Sequence, residues 1–323
     1  MTLRTPLCDM LGIQYPIMLA GMGGVSYAEL AAAVSNAGGF GTLGMAGRSQ
    51  SEIKEEIRKI RDLTDKPFGV DLLAAVPESL ERTADVIIEG GAKAFISGLG
   101  VPPPHLVKKF HDAGLKVMNV NGAVKHAKSA EAGKLDAVIA QGTEAGGHTG
   151  RIAGMALIPQ IVDAVKIPVI AAGSIVDGRG LAAALALGAQ GVWMGTRFIA
   201  ATEAHAGGLY KQVIIDAGDE DTVITRSYSG KPMRVFQNEW TKDWESRPQD
   251  IQKFPAQAML SSQAGVMGGI GGQIEGLTRE RSAFAMGQGA GAIHDVKSSR
   301  EIIQEIVAEA EDVIARMAKL ARA

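Results

Sequence analysis

The chain has 323 residues, 46% hydrophobic and 21% charged, with a formal net charge of −2, the composition of an enzyme-sized globular protein made of one large domain or one domain with an insertion. Near-neutrality without a Lys/Arg stripe argues against nucleic acid or an acidic membrane surface as a partner, and the single Cys8 excludes an internal disulfide framework and a cysteine-based metal cluster. No apolar run nears the ~20 residues that span a bilayer, and the opening residues lack the apolar core of a signal peptide, so a soluble cytoplasmic protein is expected.

A first buried strand is predicted over 15–20, followed by the turn Gly21-Met-Gly-Gly24; Ser26 is expected to cap a helix ending near Asn36. A second strand follows over 40–43. A helix opening at Ser51 places Ile53, Ile57 and Ile60 on one face. The third strand covers 66–73, a helix covers 78–90, and the fourth strand covers 94–97. Pro102-Pro-Pro104 starts a helix that Gly114 ends before a fifth strand over 115–119. Strands over 137–141, 167–172 and 189–194 complete a set of eight, separated by helical segments. This alternation predicts an α/β protein with a parallel sheet, and eight units in about 200 residues fit a closed (β/α)₈ TIM-type barrel better than an open doubly wound sheet. After Arg197 the rhythm breaks. Residues 205–285 read as a smaller, mainly helical insertion over the barrel mouth, so that 1–204 and 286–323 form the barrel. Trp240 and Trp244, one helical turn apart, are expected in the insertion's own core. Ser298 and Glu301 form a capping box for a terminal helix with Ile302, Ile306, Val313 and Met317 on one side.

The stretch 137–150 carries the strongest chemical signal. An apolar strand ends at Gln141, and glycines 142, 146, 147 and 150 then strip side chains from the backbone, which lets main-chain N–H groups approach a flat or anionic ligand. His148 stands alone there as a large titratable group, a candidate acid/base residue; the alternative is a hydrogen-bonded structural histidine. In a barrel the ligand site lies at the carboxyl ends of the strands, and the loops after the last two often bind phosphate. Those loops open with Gly173-Ser174 and Gly195-Thr196, each a glycine and a hydroxyl, which suit a mononucleotide phosphate; two ordinary turns are the alternative. Glu144 is either an orienting partner for His148 or a solvated carboxylate. His105, His111, His126 and His205 are expected to face solvent, Gln288 is a weaker pocket candidate, and no cluster has metal-ligand spacing.

These motifs, from Pro16-Ile-Met18 and Gly21-Met22 through Phe68-Gly-Val-Asp-Leu72, Gln141-Gly-Thr-Glu-Ala-Gly-Gly-His148, Ile167-Pro-Val-Ile-Ala-Ala-Gly173, Asp177-Gly-Arg-Gly180 and Met194-Gly-Thr-Arg-Phe198, resemble the nitronate monooxygenases, formerly 2-nitropropane dioxygenases. The Glu-Ala-Gly-Gly-His element is shared with FMN-dependent enoyl-acyl carrier protein reductases and some NADH:quinone reductases. The resemblance implies a TIM-type barrel, FMN and an inserted domain over the flavin. It implies that Gly21, Met22, Asp71, Gln141, Gly146 and Gly147 face the flavin ring. Gly173, Ser174, Met194, Gly195 and Thr196 would surround the phosphate, and His148 would be the active-site base. Asp71 stands where Asn is usual, bringing a negative charge towards the ring; Leu19 and Ser174 also depart from the pattern. The implied activity is FMN-dependent oxidation of nitronates or nitroalkanes, with O₂, to a carbonyl compound and nitrite. An NAD(P)H-dependent FMN reductase of an enoyl thioester or quinone is the alternative, and a flavin-binding regulatory protein without turnover is the third. The expected partners are a small-molecule substrate and O₂; a homo-oligomer is compatible with the sequence but not dictated by it.

Overall fold

The computed structural model describes residues 3–75 and 77–321; the ends of the two predicted barrel segments (residues 1–2 and 322–323) and Val76 lie outside them. Eight strands form one parallel sheet: β1 Ile17–Leu19, β2 Gly41–Gly44, β3 Phe68–Leu73, β4 Ala94–Gly98, β5 Lys116–Asn121, β6 Ala137–Gln141, β7 Val169–Ala172 and β8 Gly191–Met194. Each pairs with its neighbours in chain order, and β8 returns to β1. A parallel bridge between Met18 and Phe40, with hydrogen bonds Leu19 N to Phe40 O and Phe40 N to Ile17 O (both 2.9 Å), joins β1 to β2 and closes the ring. All eight predicted strands are present, and the fold is the predicted TIM-type barrel.

Two-residue periodicity sorts each strand between two cores. Met18, Ala94, Ile96, Ala137, Ile139, Ile170 and Trp193 fill the barrel interior, where Leu7, Cys8 and Leu11 of the helix Pro6–Leu11 join them. Thr5 Oγ1 donates to Gln190 O, just before β8, so this helix closes the amino-terminal end; Cys8 is the buried small apolar residue expected. Ile17, Leu43, Phe95, Val138 and Val192 point outward, against the surrounding helices. Ser49 and Glu52 make a capping box for the helix Gln50–Leu63, which buries Ile53, Ile57 and Ile60 as predicted, although it starts earlier than Ser51. The Ser298–Glu301 box starts Ser299–Leu320, whose buried face ends at Ala310; Met317 is 60% exposed, against expectation. Ser26 does not cap the helix Ala28–Asn36. Its hydroxyl accepts from Met22 N (2.7 Å) and donates to Met22 O (3.2 Å), fixing the turn after β1.

Within 205–285, helices include Gly208–Asp216, Glu239–Glu245 and Ala256–Gln263. A hairpin of Thr222–Thr225 and Met233–Phe236, which sequence reading did not single out, pairs in turn with Gly147–His148 from the loop after β6. Tyr228, Met233, Val235, Trp240, Trp244, Val266 and Ala283 form a separate core, with the two tryptophan rings 5.7 Å apart, as expected for these aromatics. Among the described residues no helix is long and apolar enough to cross a membrane.

Candidate active site

A cavity of about 1020 Å³ opens at the carboxyl ends of the strands. All twelve sequence-predicted site residues line it. Gly21 and Met22 follow β1, Asp71 is the fourth residue of β3, and Gln141 ends β6. Gly146, Gly147 and His148 come from the next loop; Gly173 and Ser174 follow β7; Met194, Gly195 and Thr196 stand at the end of β8.

The glycines of the β6 loop are there mostly for other chain segments. A Cβ on Gly146 would lie 2.6 Å from Met286 C, one on Gly150 2.9 Å from Gly122 O, and one on Gly142 2.4 Å from Glu144 Oε2. Only Gly147 has open space in front of it, and its φ of +73° is one that L-residues avoid. The return chain 286–289 is pinned to the loops. Gln288 N donates to Glu144 O (3.0 Å), Gly287 N to Thr196 Oγ1 (3.0 Å) and Gly289 N to Ser174 Oγ (2.9 Å). Ser174 Oγ in turn donates to Glu144 O (3.0 Å), so its proton is spent on the protein. Thr196 accepts there and keeps its own proton to donate. The short helix Thr196–Ile199 begins at this point, and its first N–H groups have no intrahelical acceptor. Main-chain donors and one hydroxyl, with no arginine or lysine among the lining residues of these two loops, are what the β7 and β8 ends offer an anion.

His148 is held on both sides. Its carbonyl accepts from Gln141 Nε2 (2.7 Å), its backbone is in register with Met233, and its Nε2 lies 2.9 Å from Ser229 Oγ. Ser229 Oγ donates to Lys231 O (3.2 Å), so the ring is set as an Nε2–H donor to Ser229, with the Nδ1 lone pair left over. Burial first, and the nearby Lys231 ammonium second, push the imidazole down to about 4. The ordinary pKa expected from sequence is thereby corrected: the ring is neutral over the physiological range but only weakly basic. Glu144 neither orients His148 nor is free in solvent. Its two oxygens accept from Gly154 N (3.0 and 3.1 Å) at the start of the helix Gly154–Ala164.

Asp71 lines the cavity and is partly accessible from it, although protein atoms surround its carboxyl closely. Burial without a compensating charge lifts its pKa well above the usual carboxylate range. Burial thereby disfavours the negative charge expected near the ring.

Of the other histidines, His126 is exposed at the cavity rim, whereas His105 pairs with Glu81 at the surface. His111 and His205 do not simply face solvent: His111 Nε2 is 2.8 Å from Asp136 Oδ2, and the His205 ring tilts against Tyr27 at 4.8 Å. Sequence reading missed Lys231, Pro232 and Met233 from the hairpin, Met267 and Ile270 beyond it, and Leu99, Asn119 and Asn121 after β4 and on β5. The signal available for the first group was the turn-forming run Ser229-Gly-Lys-Pro232 between two alternating stretches.

The nitronate monooxygenase family model matches residues 4–87 and 79–309. The chain belongs to this family. It is 36% identical to a (3aS,4S,5R,7aS)-5-hydroxy-7a-methyl-1-oxo-octahydro-1H-indene-4-carboxyl-CoA dehydrogenase of Mycobacterium tuberculosis, over 96% of this chain and 97% of that one. It is 35% identical to a probable nitronate monooxygenase of Staphylococcus saprophyticus, over 81% and 86%. Among solved structures, FabK from Thermotoga maritima superposes with a TM-score of 0.90 at 35% identity, covering 99% of this chain and all of that one. The chain is therefore an oxidoreductase of a flavoprotein family.

Proposed function

We propose that this enzyme is an FMN-dependent nitronate monooxygenase that converts nitronates, and more slowly their parent nitroalkanes, to carbonyl compounds and nitrite at the expense of O₂. The observation that carries this reading is the pairing of a neutral, desolvated imidazole with the Lys231 ammonium on one wall of the cavity. That wall favours a small anion, and a nitronate is one. The residues present fit FMN. The cavity stands at the upper end of the roughly 300–1,000 Å³ typical of ligand sites, enough for a mononucleotide and a substrate together. The main-chain donors and Thr196 after β7 and β8 would hold the phosphate, with Gly173, Ser174, Met194 and Gly195 around it. Gly21, Met22, Asp71, Gln141, Gly146 and Gly147 would wall the ring. FMN, once bound, supplies the electron-transfer chemistry.

The chain's own residues do the rest. Lys231 attracts the anion, and Gly147 leaves room for it to lie close to the backbone. His148 Nδ1 takes the α-proton when a neutral nitroalkane enters, and Ser229 keeps the ring oriented. We infer that 205–285 forms a lid inserted into a barrel of 1–204 and 286–323. Lys231, Pro232, Met233, Met267 and Ile270 from that segment line the cavity, consistent with water exclusion during turnover.

A thioester or quinone reductase is the second reading. It is favoured by the cavity's extension to Leu99, Val101 and Asn119 and by similarity along almost the whole length to a CoA-ester dehydrogenase and to FabK. Stopped-flow of purified protein separates the two. The monooxygenase reading expects FMN to be released on denaturation, and the flavin to be reduced anaerobically by nitronate but not by NADH or NADPH. Rapid bleaching by a nicotinamide, with no response to nitronate, rejects it.

A further inference from the structure

Asp71 is a desolvated acid on the cavity wall, without a partner among the described residues. Among the described residues its carboxyl has no hydrogen-bond donor and no cation, and burial alone sets its ionisation. It is also locked in place. The side chain fills the space that any residue but glycine at position 21 would need, since a Cβ there would lie 2.2 Å from Asp71 Cβ and 2.3 Å from Oδ2. The neighbouring strands present Gly44 of β2 and Ile96 of β4 in register with it, and Met22 follows Gly21 on the remaining side; none of these titrates. The titratable groups elsewhere on the cavity wall, His126, His148, Lys231 and Tyr210, exert no charge effect on it. An acid so placed is costly as an anion, whereas as a neutral group it presents one O–H and one carbonyl to whatever fills the cavity.

We propose that Asp71 works as a neutral carboxylic acid that donates its O–H to an acceptor atom on the edge of the bound flavin ring, so that flavin retention is linked to pH. This rests on the FMN reading given above. The carboxyl does in its protonated state what a side-chain amide does at every pH, and it loses that ability when it ionises. A ligand that requires the protonated form loses affinity tenfold for each pH unit above the point at which the free acid ionises.

The test is flavin retention by the holoprotein, measured by ultrafiltration and the visible spectrum with FMN as the added probe, from about pH 6 to about pH 10. Three proteins are compared: wild type, Asp71→Asn and Asp71→Ala. Wild type should show dissociation rising towards the tenfold-per-unit slope, on top of any change common to all three. Asp71→Asn, which keeps a neutral donor, should bind as tightly as wild type at low pH and lack the extra slope. Asp71→Ala should bind more weakly throughout and also lack it. Equal slopes in wild type and both variants overturn the proposal while leaving FMN in place. Asp71→Asn as weak as Asp71→Ala at low pH also overturns it. Wild-type protein that binds no FMN removes the flavin assignment and this proposal together.

Discussion

Replacing His148 with asparagine removes the one titratable side chain between Gly146 and Gly150, and its effect follows from how deeply the ring is desolvated. Burial and Lys231 move the imidazole from 6.5 to about 4, which corresponds to about 3 kcal/mol in favour of the neutral ring. Such a ring is unprotonated throughout the working range, so rates should show no acid limb near pH 6.5; the limb belongs near 4. A base this weak gives a small driving force for taking a carbon-bound proton, which places its contribution at the lower end of the usual 10²–10⁴ range. His148→Asn is therefore expected to slow turnover of a neutral nitroalkane about 10²-fold, and to slow pre-formed nitronate by less than about tenfold, because that proton has already left. The assay is initial-rate nitrite release from both substrate forms between about pH 5 and about pH 8. Equal losses on the two forms would mean that His148 is not the base, and an acid limb at about 6.5 would mean that the ring is solvated in the working enzyme. Stability gives an independent check. Below pH 6.5 the unfolded chain binds a proton that the folded ring refuses, so stability is fully present above 6.5 and is lost as pH falls towards 4. The melting temperature of His148→Asn should accordingly gain on wild type as pH falls through that window.

Three further substitutions test the surroundings. Lys231→Met should raise the His148 pKa from about 4, but only part of the way to 6.5 because burial is the larger cause, and should raise KM for nitronate more than for nitroalkane; an unmoved acid limb and KM would place Lys231 outside the site. Gly146→Ala puts a Cβ 2.6 Å from Met286 C, a backbone clash expected to cost on the order of 1–3 kcal/mol and to appear as a lowered melting temperature together with lost flavin. Glu144→Gln weakens the carboxylate anchor on Gly154 N by about 1 kcal/mol and should leave the pH–rate profile unchanged; a shifted profile would return Glu144 to the acid/base machinery.

The barrel was legible because its signal is periodic. Eight largely buried strands read as short apolar runs, and the glycines after them mark where the chain must turn. Within the candidate site, Gly146, Gly147, His148 and the Gly173-Ser174 and Gly195-Thr196 pairs were legible for a related reason, since they follow strands where TIM-type barrels put their ligands, whereas Gly21, Met22, Asp71, Gln141 and Met194 came from the resemblance to the family's motifs. What the glycines do was not legible. Gly142, Gly146 and Gly150 read as clearing space for a ligand, and they instead clear it for Glu144 in the same loop and for Met286 and Gly122, the last two brought in by long-range chain return. The ionisation behaviour of His148 and Asp71 was invisible for a similar reason: that of Asp71 depends on burial by neighbouring strands, and that of His148 on burial and on Lys231 from a turn more than 80 residues further along.

That hairpin ties residues 205–285 to the surroundings of His148. Met233 is in register with His148, so the loop after β6 becomes the third strand of the insertion's sheet and the two cannot be positioned independently. The turn that precedes Met233 supplies both Ser229, which holds His148 Nε2, and Lys231, which lowers its basicity. Gly230, with φ of +83°, lets the chain turn tightly enough for Ser229 Oγ to reach Lys231 O and the imidazole together. Within four consecutive residues, Ser229 thus orients the ring and sets its tautomer, and Lys231 adds to the burial that lowers its basicity. A change in this turn is expected to alter the basicity of His148 while the barrel and the loops after β7 and β8 stay as they are. The same coupling predicts that moving the hairpin away from the loop after β6 would solvate the ring and return its pKa from about 4 towards 6.5.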